Sequence, residues 1–164
     1  MFKFFNTNSL FRSPAQLLRY MNHIKYTEFI YLMSPLEVYI NSCGSCHDQT
    51  LFEYTELQSQ GLSPKAKFIM TVDEYGKGAE THSFIHYQIE DNWYWFENAW
   101  EEFRGIWKFS TEEALIKYVV HNFKTHNNPF KLYIGEFNPK EHTYGESLDT
   151  LVDICMNSAE EYNL

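Results

Sequence analysis

Three segments of the chain open with a helix-start signal and continue with apolar residues at helical spacing. Each signal places serine or threonine ahead of glutamate or glutamine within one turn, as in a capping box, and two carry proline at the first helical position. The signals occupy residues 13–16, 34–37 and 110–113 and predict three helices, the second ending at Tyr39. The apolar residues that follow are Leu17, Leu18, Met21 and Ile24 in the first segment and Leu115, Ile116, Val119 and Val120 in the third.

Two more helices are predicted from periodicity and from helix-stop residues. The first covers residues 46–60 and is ended by Gly61 and Pro64. Its inward side chains are expected at Leu51, Phe52 and residues 54–57. The second covers about 147–162, with one apolar stripe formed by Leu148, Leu151, Val152 and Cys155.

Runs of β-branched and aromatic residues between these helices predict strands. The runs lie at residues 66–73, 81–89, 93–100, 105–109 and 131–137, with a turn at residues 90–92. Helices followed by strands joined through hairpins indicate an α+β protein with an antiparallel sheet. Since no linker or repeat divides the chain, residues 1–164 are expected to form one domain, with its core at about 34–138.

Composition and charge narrow the classes of partner. Of 164 residues, 44% are hydrophobic and 18% aromatic, which predicts a folded chain whose core and cleft are built from rings. The formal charge of −9 argues against nucleic acid and anionic membrane surfaces, because both are bound through Lys and Arg. With no apolar run of membrane-spanning length and no export signal, we expect a cytoplasmic protein with three reduced cysteines.

The segment with the most chemical information is residues 41–49, NSCGSCHDQ. Its C-x-x-C-H string is the attachment pattern of c-type haem, and Cys43 and Cys46 have the spacing of a dithiol redox pair. With His82 and His86, four apart on a predicted strand, these cysteines also offer four ligands for zinc. The haem interpretation lacks an export signal, and the redox interpretation lacks an early βαβ unit. The zinc interpretation lacks a second closely spaced ligand pair.

A fourth interpretation makes Cys46 a nucleophile. The preceding Gly-Ser pair lets the chain turn into a helix, so the sulfur lies at a helix N-terminus, where a thiolate is favoured. A nucleophilic thiol needs a base, and the base needs an orienting acceptor. His82 and then Glu97 or Asn98 follow on successive predicted strands, which predicts a Cys–His–acid site that uses no metal or cofactor.

Three blocks of the chain resemble the Cys, His and acidic blocks of the transglutaminase-like superfamily. They are residues 44–49 (GSCHDQ), 81–84 (THSF) and 93–100 (WYWFENAW), the last followed by Gly-Ile at 105–106 as in small bacterial or phage-type members. The resemblance implies a papain-like core in which the cysteine begins a helix packed on an antiparallel sheet. It also implies acyl transfer from an amide of a protein or peptide, by hydrolysis, deamidation or transamidation.

By this resemblance Cys46 is the nucleophile, His82 the base and Glu97 the acidic residue, where Asp is commoner in the family. Asn98 remains an alternative orienting residue. Since a tight turn at residues 91–92 would place His86 opposite Glu97, His86 is a rival base.

The backbone N–H of Cys46 and the side chain of Asn41 are the candidate oxyanion donors. The main alternative to an enzyme is an inactive transglutaminase-like module that binds a partner peptide, and a redox or metal-binding protein is a further one. Retention of the cysteine, histidine and acid together favours the enzyme.

Overall fold

The computed structural model of the protein describes residues 9–163, which form five α-helices and eight strands. The helices are α1 (Pro14–Met21), α2 (Pro35–Asn41), α3 (Cys46–Ser59), α4 (Glu112–Asn127) and α5 (Leu148–Met156). The strands are β1 (Lys25–Tyr26), β2 (Cys43–Gly44), β3 (Lys65–Val72), β4 (Gly78–Ile89), β5 (Asn92–Glu97), β6 (Gly105–Phe109), β7 (Lys131–Phe137) and β8 (Glu160–Glu161). None of the helices in this part of the chain combines the length and the apolar character that crossing a bilayer requires.

The α+β class with an antiparallel sheet is confirmed. Six strands form one sheet in the order β6-β5-β4-β3-β7-β8, with every neighbouring pair antiparallel. The strands β1 and β2 form a separate two-residue parallel ladder. The long central hairpin of β3 and β4 has helices on both faces, with α1, α3 and α5 on one face and α4 on the other.

Alternate side chains of the sheet enter two different cores. On one face, Ile85 and Tyr87 pack with apolar residues of α1, α3 and α5. On the other face, Phe84 and Trp95 pack with the apolar stripe of α4. The period of two along β4 therefore places His82 on the α4 face and Ser83 on the α3 face.

The C-terminal helix is shorter than the sequence predicts. It ends at Met156 instead of continuing to about 162, and the chain returns as the edge strand β8 beside β7. Gly135 of β7 permits this return, because a Cβ there would lie 2.9 Å from the Cα of Ala159. Ser158 closes the crossing by donating its hydroxyl to the carbonyl of Glu136.

Other boundaries shift by a few residues. The third helix-start signal caps through Thr111, not Ser110, since the Thr111 side chain accepts the N–H of Ala114. Helix α2 continues two residues past the predicted end at Tyr39. Strand β5 ends at residue 97, three residues before the predicted end, because a short 3-10 turn at Glu101–Phe103 follows.

The start of α3 is fixed by Asp48, a buried carboxylate with three hydrogen bonds. One oxygen accepts the N–H of Met33 at 2.8 Å, and the other accepts both the N–H and the hydroxyl of Ser45 at 2.8 Å. In return, the Ser45 hydroxyl accepts the N–H of Asp48, which completes a capping box. This cap joins the chain before α2 to the first turn of α3.

Replacing Asp48 by alanine is expected to destabilise the fold, because two buried backbone N–H groups lose their acceptor. The free energy of unfolding, measured by urea denaturation, should fall by about 3 kcal/mol or more. The matched control is Asp149→Ala, which removes an exposed first-turn carboxylate from α5 and should cost less than about 1 kcal/mol. Equal losses in the two variants would contradict the role given to Asp48.

Candidate active site

Cys46 is the first residue of α3, and the chain on both sides fixes its position. Upstream, the parallel ladder of β1 and β2 places Tyr26 beside Gly44. A Cβ on Gly44 would lie 2.9 Å from the Cβ of Asp48, so the close turn into the helix requires glycine. The thiol therefore lies at the positively polarised end of a 14-residue helix.

His82 and Glu97 meet at the end of β5. Nε2 of His82 and Oε2 of Glu97 are 2.8 Å apart, and both side chains are buried. The other Glu97 oxygen accepts the N–H of Trp100 at 2.8 Å, which holds the carboxylate in place. The imidazole stacks on Phe123 of α4, and His82 and Cys46 line the same cleft. Because Nε2 faces Glu97, Nδ1 is the nitrogen left for the thiol.

The site lies where the two layers of the fold meet. Cys46 comes from the α3 layer and His82 from the α4 face of the sheet. A cleft of about 180 Å³ opens between them. Tyr26 and Trp100 line its walls, and Asn127 at the end of α4 contributes to its rim.

Burial and nearby charges shift the pKa values of Cys46 and His82 in opposite directions. Burial raises the pKa of Cys46, but the imidazoles of His47 and His82 outweigh it and lower the pKa to about 5. Burial lowers the pKa of His82, but the carboxylate of Glu97 and the Cys46 thiolate outweigh it and raise the pKa to about 10. The two side chains are therefore a thiolate and an imidazolium across the neutral range.

The rival base His86 lies away from the thiol. The β4–β5 turn uses residues 90 and 91, one residue earlier than predicted, so His86 pairs with Trp95 instead of lying opposite Glu97. The prediction that a tight turn pairs His86 with Glu97 is therefore wrong. Nε2 of His86 instead lies 2.8 Å from Oε1 of Glu112, and Lys65 shares that carboxylate.

The two histidines of β4 are perturbed in opposite directions. Burial lowers the pKa of His86, and its partner Glu112 does not overcome this because Lys65 and Lys67 add positive charge nearby. At His82 the carboxylate is buried and the second neighbour is a thiolate. Only the environment of His82 favours an imidazolium at neutral pH.

The predicted asparagines lie in different places. Asn98 donates its Nδ2 hydrogen to Oε1 of Gln49 at 2.7 Å, so it braces α3, while Glu97 is the residue bonded to His82. Gln49 in turn donates to the carbonyl of Gly44. Asn41 ends α2 as an exposed residue outside the cleft lining.

Three residues near the thiol were not predicted from the sequence. Tyr26 lines the same cleft as Cys46, and its hydroxyl donates to Oε1 of Glu28 at 3.3 Å. Burial, the thiolate and Glu28 raise the pKa of this tyrosine. His47 is buried, and its Nδ1 lies 2.6 Å from Oγ of Ser83. Glu53 is buried in α3 beneath the site. The spacing of seven residues between Cys46 and Glu53 could have indicated from the sequence that they share a helix face. The position of Tyr26, by contrast, depends on the β1–β2 ladder.

The haem and zinc interpretations have no support in the arrangement of these residues. The imidazole of His47 packs on Phe68 and is bonded to Ser83, which leaves it no face for a haem. Within residues 9–163 no group of three or more His, Cys, Asp or Glu side chains is arranged to hold a metal ion. Cys43 and Cys46 are free thiols.

No protein-family model and no curated protein matches this sequence. The chemistry of the chain is therefore inferred from its own residues.

Alkylation by iodoacetamide should single out Cys46. We expect its rate to rise with pH through an inflection near 5, because the histidines stabilise the thiolate, and His82→Ala should move that inflection toward the ordinary value of about 8.5. Peptide mapping gives the rate at each cysteine. Cys155 is the internal control, since burial raises its pKa to about 12 and should keep it unreactive. A wild-type inflection near 8.5 would contradict the site.

Glu97→Gln should weaken the imidazolium and with it the thiolate. Removal of the carboxylate lowers the pKa of His82, so the Cys46 inflection should move to higher pH, as in His82→Ala but less far. The matched control is Glu112→Gln, which breaks the other histidine–glutamate pair on the same face of β4. If both variants shift the alkylation profile equally, the effect is not specific to the His82 pair.

Proposed function

We propose that the protein is a cysteine-dependent acyl-transfer enzyme that acts on an amide through Cys46, His82 and Glu97. The observation that carries the proposal is the buried hydrogen bond between Glu97 and His82, in a cleft that His82 shares with the thiol of Cys46 at the N-terminus of α3. Strongly perturbed pKa values of two coupled groups in a cleft are typical of catalytic sites.

The reaction starts from the thiolate–imidazolium pair. The Cys46 sulfur attacks the amide carbonyl carbon, forming a C–S bond and an oxyanion. The imidazolium of His82 gives its proton to the amide nitrogen, the C–N bond breaks, and an amine or ammonia leaves a thioester on Cys46. Water or another amine then attacks the thioester, His82 takes its proton, and the thiolate is released. Glu97 keeps the imidazole oriented throughout.

Two donors are available for the oxyanion. The first turn of a helix leaves its N–H groups without carbonyl partners, so the N–H of Cys46 can point at the substrate. The hydroxyl of Tyr26, which also lines the cleft, is the second donor once it turns away from Glu28, to which it donates at 3.3 Å. Tyr26 takes the role that the sequence suggested for Asn41, whose position in the fold is exposed and outside the cleft.

The papain-like, transglutaminase-like core is part of this proposal. Its support is the order of the parts: a cysteine at the start of α3, which packs on an antiparallel sheet, then histidine on β4 and the acid on the neighbouring β5. The cleft of about 180 Å³ is smaller than the roughly 300–1,000 Å³ of small-molecule pockets. Its size supports a side chain or short segment of a protein or peptide as the substrate.

An inactive binding module is the second candidate. The observation in its favour is the low exposure of Cys46, 4%, which limits approach to the sulfur. Against it stands the charge state of the pair, because a binding surface gains nothing from a buried thiolate held by two histidines.

An activated ester tests the thioester step without knowledge of the substrate. With p-nitrophenyl acetate we expect a burst of nitrophenol, acetylation of Cys46 seen by mass spectrometry, and then steady turnover. Cys46→Ala should abolish the burst, and His82→Ala should slow turnover by about 10²–10⁴, the usual contribution of a general base. Tyr26→Phe should slow it less than His82→Ala.

The matched control for the ester assay is Cys155→Ala, which removes the other buried thiol and should leave the burst unchanged. Amide chemistry is then tested with glutamine- and asparagine-containing peptides and hydroxylamine, where peptide hydroxamates should form only if Cys46 is present. Acetylation that stops after one equivalent, with no hydroxamate, would favour the binding module.

A further inference from the structure

Glu53 is a buried acid that the mechanism does not use. It lies two turns after Cys46 on α3, a spacing of seven residues that places both side chains on the same face of the helix. The residue is 3% exposed. Its Oε1 is fully enclosed and has no hydrogen-bond partner among residues 9–163.

The other buried carboxyl groups in the described part of the chain have donors. Asp48 accepts three hydrogen bonds, and Glu97 accepts from Trp100 and pairs with His82. Glu56 accepts the hydroxyl of Ser9 at 3.0 Å and the N–H of Leu10 at 3.1 Å. These donors compensate for the loss of water around a negative charge, and Glu53 has no comparable set.

The charges around Glu53 also oppose its ionisation. They come from Glu97 on β5, His82 on β4 and Cys46 on its own helix. Burial and the negative charges of Glu97 and Cys46 raise the pKa of Glu53 well above its ordinary range, and the opposing charge of His82 does not offset them. The positive charge of His82 is already offset by the negative charges of Glu97 and Cys46.

We infer that Glu53 is held as a neutral carboxylic acid on the face of α3 that carries Cys46, near the Cys46–His82–Glu97 group. As a neutral group it adds no second net negative charge to the site. An ionised Glu53 would instead draw a proton onto Cys46 or repel an anionic reagent. The inference rests on the thiolate–imidazolium state of the proposed function.

The protonation state can be read directly by infrared spectroscopy at neutral pH. The difference spectrum of wild type minus Glu53→Gln should contain the C=O stretch of a protonated carboxyl group. The matched control is Glu56→Gln, three residues further along α3, where the difference spectrum should lack that band because Glu56 has two donors. Carboxylate bands from Glu53 would overturn the inference.

A second measurement reads the charge at the sulfur. The ratio of alkylation rates with iodoacetate and iodoacetamide should be the same in wild type and Glu53→Gln at neutral pH, because both reagents approach the same charge. In wild type the ratio should then fall in alkaline solution as Glu53 ionises, a step absent from the variant. A several-fold higher ratio in Glu53→Gln at neutral pH would show an anionic Glu53 and overturn the inference.

Glu53→Met keeps the question answerable if the glutamine variant does not fold. An unpaired buried acid contributes no stabilising hydrogen bonds, so an apolar side chain of similar size should preserve the folded state and the neutral-pH ratio of rates. The two proposals fail separately. An ordinary pKa at Cys46 removes the proposed function, whereas a depressed Cys46 pKa beside an ionised Glu53 removes this inference alone.

Discussion

The hydrogen bond between His82 and Glu97 is the interaction on which the chemistry of the site depends. Both groups are buried, and burial alone would discharge the imidazole. The carboxylate of Glu97 supplies the negative charge that keeps the imidazole ionised, and the N–H of Trp100 adds a donor to Glu97. The thiolate of Cys46 is the third member of the same balance, since it needs the imidazolium that Glu97 maintains.

The fold provides this balance by joining two layers that the sheet otherwise separates. Cys46 belongs to the α3 layer and His82 to the face covered by α4, and the two residues meet in one cleft near the end of β5. The cap formed by Ser45 and Asp48 fixes the α3 side of that contact, because Asp48 also holds the backbone at Met33. The same cap therefore stabilises the start of α3 and fixes the position of the thiol.

Local sequence signals predicted the helices and strands well where the chain itself determines them. The capping box of α2 and the start of α3 at Cys46 depend on neighbours within one turn and were predicted correctly. The end of α5 and the pairing of His86 were wrong, because the first depends on a crossing over Gly135 and the second on a turn placed one residue earlier. In antiparallel pairing, a shift of one residue in the turn moves the partner by two.

The same distinction explains which site residues could be found in advance. Cys46, His82 and Glu97 carry their chemistry in recognisable residue types, whereas Tyr26 is brought to the cleft by a two-residue ladder that has no sequence signature. Glu53 is intermediate, since its helical spacing is visible but its lack of a donor is a property of the packed core. A buried acid without a donor gives the fold little, because an apolar side chain would fill the same space at lower cost. Its position on the same face of α3 as Cys46, near the charges of Cys46, His82 and Glu97, connects Glu53 to the chemistry of the site more readily than to the stability of the core.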